Sequence, residues 1–191
     1  MEKRELKTEE KKGLSLQDLL LTAVLLAAGA VLKFFVGSFI NLFGMKPNFI
    51  IAMYCMAIVL IQPKLYYSII IGILAGAICQ FFPGTPYLNF ASEFAGALVM
   101  GLLIKIPAKS KKTAPLGAAI KTFVSTVVSG GLYTVLLFVF IKSDPSAMVA
   151  YGPIVASTAT LNAIIVGVLY LPLMKVLKKE IVTAEETKDA E

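Results

Sequence analysis

Long apolar runs, separated by short polar or proline-containing segments, occupy the chain from Ser15 to Val176. A helix needs about 20 apolar residues to cross a hydrocarbon core of roughly 30 Å, and six such runs fit this stretch with short connections. The apolar pattern predicts helices at residues 16–36, 47–62, 65–82, 88–106, 116–141 and 152–177. We therefore expect an all-α integral membrane bundle of six transmembrane helices.

The polar residues between the runs indicate where helices begin and end. Ser15 followed by Asp18 is a typical helix start, because serine caps the first turn and an acidic residue is favoured near the positive end of the helix dipole. The turn from Pro83 to Pro86 ends the third predicted helix. We interpret the charged residues 1–14 and 180–191 as solvated tails on either side of a six-helix domain at residues 15–179.

The distribution of basic residues predicts the orientation of this bundle. Of the 18 lysine and arginine residues, fourteen lie in or beside the two tails, or in the connections at Lys64 and at residues 105–112. These segments share one side of the six-helix arrangement. Because cytoplasmic loops carry an excess of Lys and Arg, we expect both termini in the cytoplasm.

Composition excludes several classes of function. Hydrophobic residues make up 58% of the 191 residues and charged residues 16%, with a mean hydropathy of +0.82, whereas about a quarter of a soluble domain is charged. The net charge of +6 does not indicate nucleic-acid binding, because the lysines lie between apolar runs. Without histidine the chain has no imidazole for catalysis or metal binding, and we expect neither an enzyme nor a metal site. Cys55 and Cys79 lie in apolar runs and are interpreted as reduced core residues.

Only three charged residues lie well inside the predicted helices: Lys33, Glu93 and Lys121. A charge inside a bilayer is costly unless it is paired, hydrated or able to reach the headgroups. The two lysines have side chains long enough to reach the nearer membrane surface, but Glu93 is too short. We expect Glu93 either in a buried ion pair with Lys33 or Lys46, or as a ligand for a substrate ammonium group or a coupling cation.

The surroundings of Glu93 predict a small-molecule site. Aromatic and amide side chains cluster around the Pro83–Pro86 turn: Phe82, Tyr87, Asn89 and Phe90. Further polar groups fall on the same outward side: Lys46, Asn48, Tyr133 and Asn162. Aromatic walls with a few polar groups are typical of small-molecule sites. An interfacial aromatic belt is the alternative interpretation, since Phe and Tyr must form it in a chain without tryptophan.

Small residues at four-residue spacing give two helices smooth faces that another helix can approach. Gly72 and Gly76 predict internal packing of the third helix, and Ala23 and Ala27 form such a face on the first. In this alanine pair, its length, its six predicted helices and its outward polar groups, the chain resembles the substrate-binding S-components of energy-coupling factor (ECF) transporters. The resemblance covers residues 15–179. The resemblance implies a bacterial cell membrane, docking of Ala23 and Ala27 to a T-component, and two partner ATPases that use ATP. We expect no cofactor in this chain, which lacks a phosphate-binding G-x-x-x-x-G-K-[ST] loop.

Two short segments resemble the tryptophan-uptake branch of that family. They are Phe43-Gly44-Met45-Lys46-Pro47-Asn48, and the turn Phe82-Pro83-Gly84 followed by Asn89. The resemblance implies that the chain captures tryptophan from outside the cell. In such a site Lys33, Lys46 and Asn48 would face the carboxylate and Glu93 the ammonium group. The walls around the indole would come from Phe82, Tyr87, Phe90 and Tyr133.

Other functions fit the same residues. An S-component for a vitamin such as thiamine, riboflavin or biotin also needs a site for a flat ring. An autonomous secondary carrier would use Glu93 as a proton or sodium site, and a structural membrane subunit would hold it only in an ion pair. If uptake stops when the ATPases are removed but continues with an uncoupler, the protein is an S-component rather than a carrier.

Overall fold

The computed structural model describes residues 13–39, 47–82, 85–141, 145–181 and 183. It contains six helices: α1 (Leu16–Phe39), α2 (Ile50–Ile61), α3 (Leu65–Cys79), α4 (Leu88–Leu103), α5 (Ala114–Ile141) and α6 (Pro145–Val176). Within these described ranges the only β-type pairing is an isolated bridge between Ala108 and Thr183. The prediction of an all-α fold with six helices is therefore confirmed. Lys46, Pro83 and Gly84, which the sequence singles out, lie outside the described residues.

The largest difference from the predicted helix bounds is the start of α6. The sequence places it at residue 152, but the helix begins at Pro145 and contains Pro153 and Pro172. Proline fits the first turn of a helix because that turn has no use for its missing N–H, so Pro153 is compatible with the predicted start as well. Inside a membrane helix, neighbouring groups can satisfy the carbonyl that an internal proline leaves free, so α6 continues through Pro153.

Helix α2 forms the centre of the bundle. All residues from Ile50 to Leu60 are buried, and the helix contacts each of the other five. It ends at Gln62, which has the left-handed conformation (φ 49°) and whose N–H bonds the Ile58 carbonyl. α1 packs only against α2 and α3 among the described helix pairs.

Small residues allow the helices to approach closely. A methyl group added at Gly72 would overlap Ala97 and the Glu93 carbonyl, and one added at Gly76 would lie 3.0 Å from Phe90 Cα. The predicted internal packing of this glycine pair is confirmed as contact between α3 and α4. Because packing rather than hydrophobic burial drives helix association in lipid, these contacts position α4 firmly against α3.

The outer surface of the bundle is apolar, as lipid requires. Large hydrophobic side chains such as Val31, Phe34, Phe35 and Phe140 are exposed, which is unusual over such an extent in a soluble protein. Three helical segments are long and apolar enough to cross a membrane: Leu16–Gly37, Ala114–Phe140 and Val149–Val176. α2, α3 and α4 are apolar but shorter, with 12, 15 and 16 residues. The protein is a membrane protein.

The start of α1 and the end of α6 meet at one end of the bundle. Lys179 Nζ lies 2.9 Å from Asp18 Oδ1, and the Asp18 N–H bonds the Ser15 hydroxyl at 3.2 Å. The predicted cap at Ser15 is therefore confirmed. Lys121 donates to the Ile106 carbonyl at 2.6 Å near the same end, as its side-chain length predicts. We call the opposite end, where α4 begins and the segment before α2 lies, the distal end.

Candidate functional site

Glu93 is a buried carboxylate held from two sides. It lies five residues into α4, about 7.5 Å from the start of that helix at the distal end, and its side chain is 0% exposed. Asn48 Nδ2 donates to one carboxylate oxygen, and Ser129 Oγ on α5 donates to the other at 3.1 Å. Three separate parts of the chain therefore converge on one buried carboxyl group, and the two hydrogen bonds offset part of the cost of its desolvation.

Lys33 provides a cation beside this carboxyl group. Its ammonium group lies 3.3 Å from Cys79 Sγ, which Asn48 Nδ2 also approaches, at 3.9 Å, and 4.9 Å from the centroid of the Phe82 ring. Within the parts of the chain that the structure describes, no carboxylate lies within ion-pairing distance of Lys33. Lys33 therefore points into the bundle, where its ammonium group contacts a thiol and an aromatic face.

Two asparagine side chains continue the cluster toward α6. Asn162, which is fully buried, donates through Nδ2 to the Asn48 carbonyl at 3.1 Å and to Thr126 Oγ1 at 3.4 Å. The amide oxygens of Asn48 and Asn162 are buried and have no hydrogen-bond partner among the described residues. A buried acceptor without a donor costs free energy, so each oxygen is suited to receive a hydrogen bond from a ligand.

The structure does not bring every candidate residue to this cluster. Tyr87, which precedes the first residue of α4, and Phe90, in its first turn, are 55% and 41% exposed. Their exposure agrees with the interfacial-belt interpretation. Tyr133 is half-buried and its hydroxyl lies 2.8 Å from Thr85 Oγ1, while the Asn89 carbonyl accepts a bond from Ser92 at 3.4 Å.

Sequence reasoning missed several members of the cluster. Tyr54 and Cys79 lie inside apolar runs, where nothing in the pattern separates them from core residues. The Tyr54 hydroxyl is buried without a hydrogen-bond partner among the described residues, and it lies next to Gly96, as does Ser129. The sequence did contain a signal for Ser129. It shares one face of α5 with Ser125 and Thr122 at helical spacing, and all three are buried.

The described residues on either side of the connection between α3 and α4 bond to each other and to the bundle. Gln80 Nε2 donates to the Gly76 carbonyl at 2.7 Å and to the Pro86 carbonyl at 2.9 Å. Thr85 is tied to Tyr133 on α5. These bonds hold the two described sides of the connection against the bundle, next to Phe82 and Lys33.

In chemical terms, the cluster contains both charges that a free amino acid requires. A carboxylate and an ammonium group lie among buried amides, and an aromatic ring lies under the cation. The amide oxygens add acceptors without donors. Such a set complements a small zwitterion that presents an ammonium group, a carboxylate and an apolar body.

Comparison with known proteins gives a consistent result. The family model described as "Tryptophan transporter TrpP" matches residues 15–178. A "Probable tryptophan transport protein" of Clostridium acetobutylicum is 24% identical over 168 residues, which cover 86% of this chain and 96% of that protein. No solved structure matches the chain. A transporter family indicates transport rather than catalysis. The resemblance to the tryptophan-uptake branch of the ECF S-components is confirmed, and the chain belongs to the tryptophan transporter TrpP family.

Proposed function

We propose that the chain is the substrate-binding subunit of an ECF-type importer and captures tryptophan at a site that opens outward at the distal end. One observation carries this proposal. Glu93 and Lys33 bring both charges needed for a zwitterion into one buried cluster that is bounded by Phe82. Buried charges that serve only helix packing would be expected to pair with each other, but no ion pair joins these two described residues.

In the proposed complex the ammonium group of tryptophan lies against Glu93 and the Asn48 amide oxygen. The carboxylate binds Lys33, together with Lys46. Phe82 and Tyr133 contact the indole, and Asn89, Tyr87 and Phe90 lie at the rim of the site. Each charged contact is strong because it forms away from water. The substrate also supplies a donor to a buried amide oxygen that has none among the described residues.

We further propose how the chain lies in the membrane. All six helices cross the plasma membrane of a bacterium, with both termini in the cytoplasm. The lysine distribution supports this orientation. The shortness of α2 is compatible with it, because α2 is surrounded by the other five helices and its ends need not reach the lipid headgroups.

The energy for uptake comes, in this proposal, from two ATPases through a T-component that docks on α1. The side chains of Ala23 and Ala27 are exposed, and both lie near the middle of the exposed face of that helix. Small side chains at this place leave a shallow notch in which a helix of the partner can lie. No ATP and no other cofactor binds to this chain itself.

Binding of tryptophan to the purified protein tests the proposed function. We expect saturable binding by isothermal titration calorimetry, and an affinity at least about tenfold lower in Glu93→Gln, because a charge-assisted bond to the ammonium group is lost. Indole-3-propionate lacks that group, so its affinity should not fall in this variant.

Ser92→Ala is the matched control for Glu93→Gln. Ser92 is the preceding residue, is equally buried, and bonds the Asn89 carbonyl rather than the cluster. The affinity of the Ser92→Ala variant for tryptophan should equal that of the unmodified protein. If the purified protein binds a vitamin and not tryptophan, the substrate is wrong, and an unchanged tryptophan affinity in Glu93→Gln removes the ammonium contact.

A further inference from the structure

We propose that the amide oxygen of Asn162 accepts a hydrogen bond from the indole N–H of the substrate and is thereby the residue that selects tryptophan over other amino acids with a flat apolar side chain. This inference rests on the proposed function, since it assumes that tryptophan is the ligand. It assigns a role to one atom that neither the charges nor the aromatic residues of the site explain.

The orientation of the Asn162 amide is determined by its partners. Its nitrogen donates to the Asn48 carbonyl at 3.1 Å and to Thr126 Oγ1 at 3.4 Å. A carbonyl can only accept, so the nitrogen must be the atom that faces Asn48. The Oδ1 atom therefore points elsewhere, and it has no donor among the residues that the structure describes.

An acceptor left in this state is unusual in a folded protein. Most buried polar side-chain atoms have at least one partner, and those that lack one require a specific explanation. Asn162 is fully buried on α6, so bulk water does not supply the missing donor. A neutral N–H donor of a bound molecule would supply it without adding a second charge to the site.

The position of Asn162 separates it from the charged part of the cluster. Asn48 donates to Glu93 through its side chain and accepts from Asn162 at its main-chain carbonyl. Asn48 therefore lies between the Glu93 carboxylate and the Asn162 side chain, whose Oδ1 atom has no donor among the described residues. A ligand whose ammonium group binds Glu93 must extend past Asn48 to reach Asn162. Apart from its ammonium group, the only N–H donor of tryptophan is the indole N–H.

Selection follows from the cost of an unpaired acceptor. A site that is built to bond an N–H group rejects analogues without that group far more strongly than a hydrophobic pocket rejects a change of shape. Phenylalanine, and the analogue 3-benzothienylalanine in which sulfur replaces the indole N–H, would leave Asn162 Oδ1 unpaired. We therefore expect the protein to bind tryptophan at least about tenfold more tightly than 3-benzothienylalanine.

The test compares the two ligands in the purified protein and in Asn162→Leu, which removes the amide at similar size. The measured quantity is the ratio of the two dissociation constants. Asn162→Leu also loses the bond to the Asn48 carbonyl, which weakens both ligands alike, so the ratio isolates the indole contact. We expect the preference of at least about tenfold to fall to near one. Thr158→Val, a buried change one turn earlier on α6, should keep the original ratio.

Three outcomes would overturn the inference. The unmodified protein could bind both ligands equally, a result that does not require the variant to fold. Asn162→Leu could retain the original preference. Asn162→Leu could instead reduce the preference for tryptophan over indole-3-propionate and leave the preference over 3-benzothienylalanine unchanged. That result would assign Asn162 to the ammonium group. Failure of tryptophan to bind at all would contradict the proposed function itself and is distinct from these results.

Discussion

Lys33 and Glu93 carry opposite charges in one apolar bundle, yet each has its own set of neutral partners. Asn48 and Ser129 bond the carboxylate, while Cys79 and the Phe82 ring face the ammonium group. A thiol and an aromatic ring are weak partners for a cation compared with a carboxylate. The Lys33 ammonium therefore has the most to gain from an incoming carboxylate group.

The role of Lys33 can be tested with a pair of ligands. Lys33→Gln should weaken tryptophan binding by about ten- to hundredfold, because a charge-assisted hydrogen bond contributes roughly 1.5–3 kcal/mol. Tryptamine has no carboxylate, so its affinity should be unchanged or higher once the cation beside Glu93 is gone. Titration calorimetry on the purified protein measures both.

Lys121→Gln is the control for this prediction. Lys121 lies within α5 but bonds the Ile106 carbonyl at the other end of the bundle, and its loss should leave both affinities as they are. Equal losses for tryptophan and tryptamine in Lys33→Gln would show that Lys33 supports the structure of the site and does not bind the carboxylate.

These residues also show how much of the site is readable from the sequence. A charge in an apolar run is rare and costly, which is why Lys33 and Glu93 stand out. Tyr54 and Cys79 carry no such signal, because their side chains are as common in a core as in a site. The roles of Asn48 and Asn162 depend on a contact across 114 positions of the chain, which only the fold can reveal.

At the scale of helices, the close contact between α3 and α4 determines where Glu93 lies. A methyl group at Gly72 would come within 2.7 Å of the Glu93 carbonyl oxygen and would also overlap Ala97. Neither neighbour can move without shifting the helix, since one is main chain and the other a short side chain. The apolar pattern predicts both helices but cannot predict that they touch at this glycine.

Gly72→Ala should therefore destabilise the protein. Overpacking of this kind costs about 1–3 kcal/mol, which corresponds to a fall of roughly 2–12 °C in the Tm of a chain of this size. Thermal unfolding in detergent measures the change. Gly117→Ala on α5 is the control, because its added methyl group meets nothing within 4 Å, and alanine favours a helix. Similar Tm values for the two variants would contradict close packing at Gly72.

The ends of the helices are less predictable from the sequence than their number. All six helices follow from the length of the apolar runs, but α3 ends at Cys79 and α4 at Leu103, each three residues before the sequence indicates. The last three residues of each predicted helix include two large apolar residues and no glycine or proline that would signal the end. Local turns satisfy some of their main-chain groups instead. The Phe82 N–H, for example, bonds the Cys79 carbonyl at 3.1 Å.

At the scale of the whole molecule, α1 differs from the other helices in its packing. It contacts only α2 and α3 among the described helix pairs, and the remaining face carries exposed apolar side chains, Leu20, Val24 and Val31 among them. One end of α1 is nevertheless tied to the rest of the chain, because Asp18 pairs with Lys179 after α6. The exposed face of α1 is therefore the part of the helix where the proposed partner would dock.

The double variant Ala23→Leu, Ala27→Leu tests whether a partner docks on the exposed face of α1. The larger side chains would fill the notch on the exposed face without entering the core, so tryptophan binding by the purified subunit should stay within about twofold of its original value. Uptake by cells that contain the T-component and the ATPases should fall at least about tenfold, since overpacking of a helix interface costs about 1–3 kcal/mol.

Ala28→Leu is the matched control. It is exposed and lies about 100° from Ala27 around the helix, at the edge of the face, and should preserve both activities. Loss of binding together with uptake would assign the alanine pair to the core, and normal uptake in the double variant would require the partner to dock elsewhere.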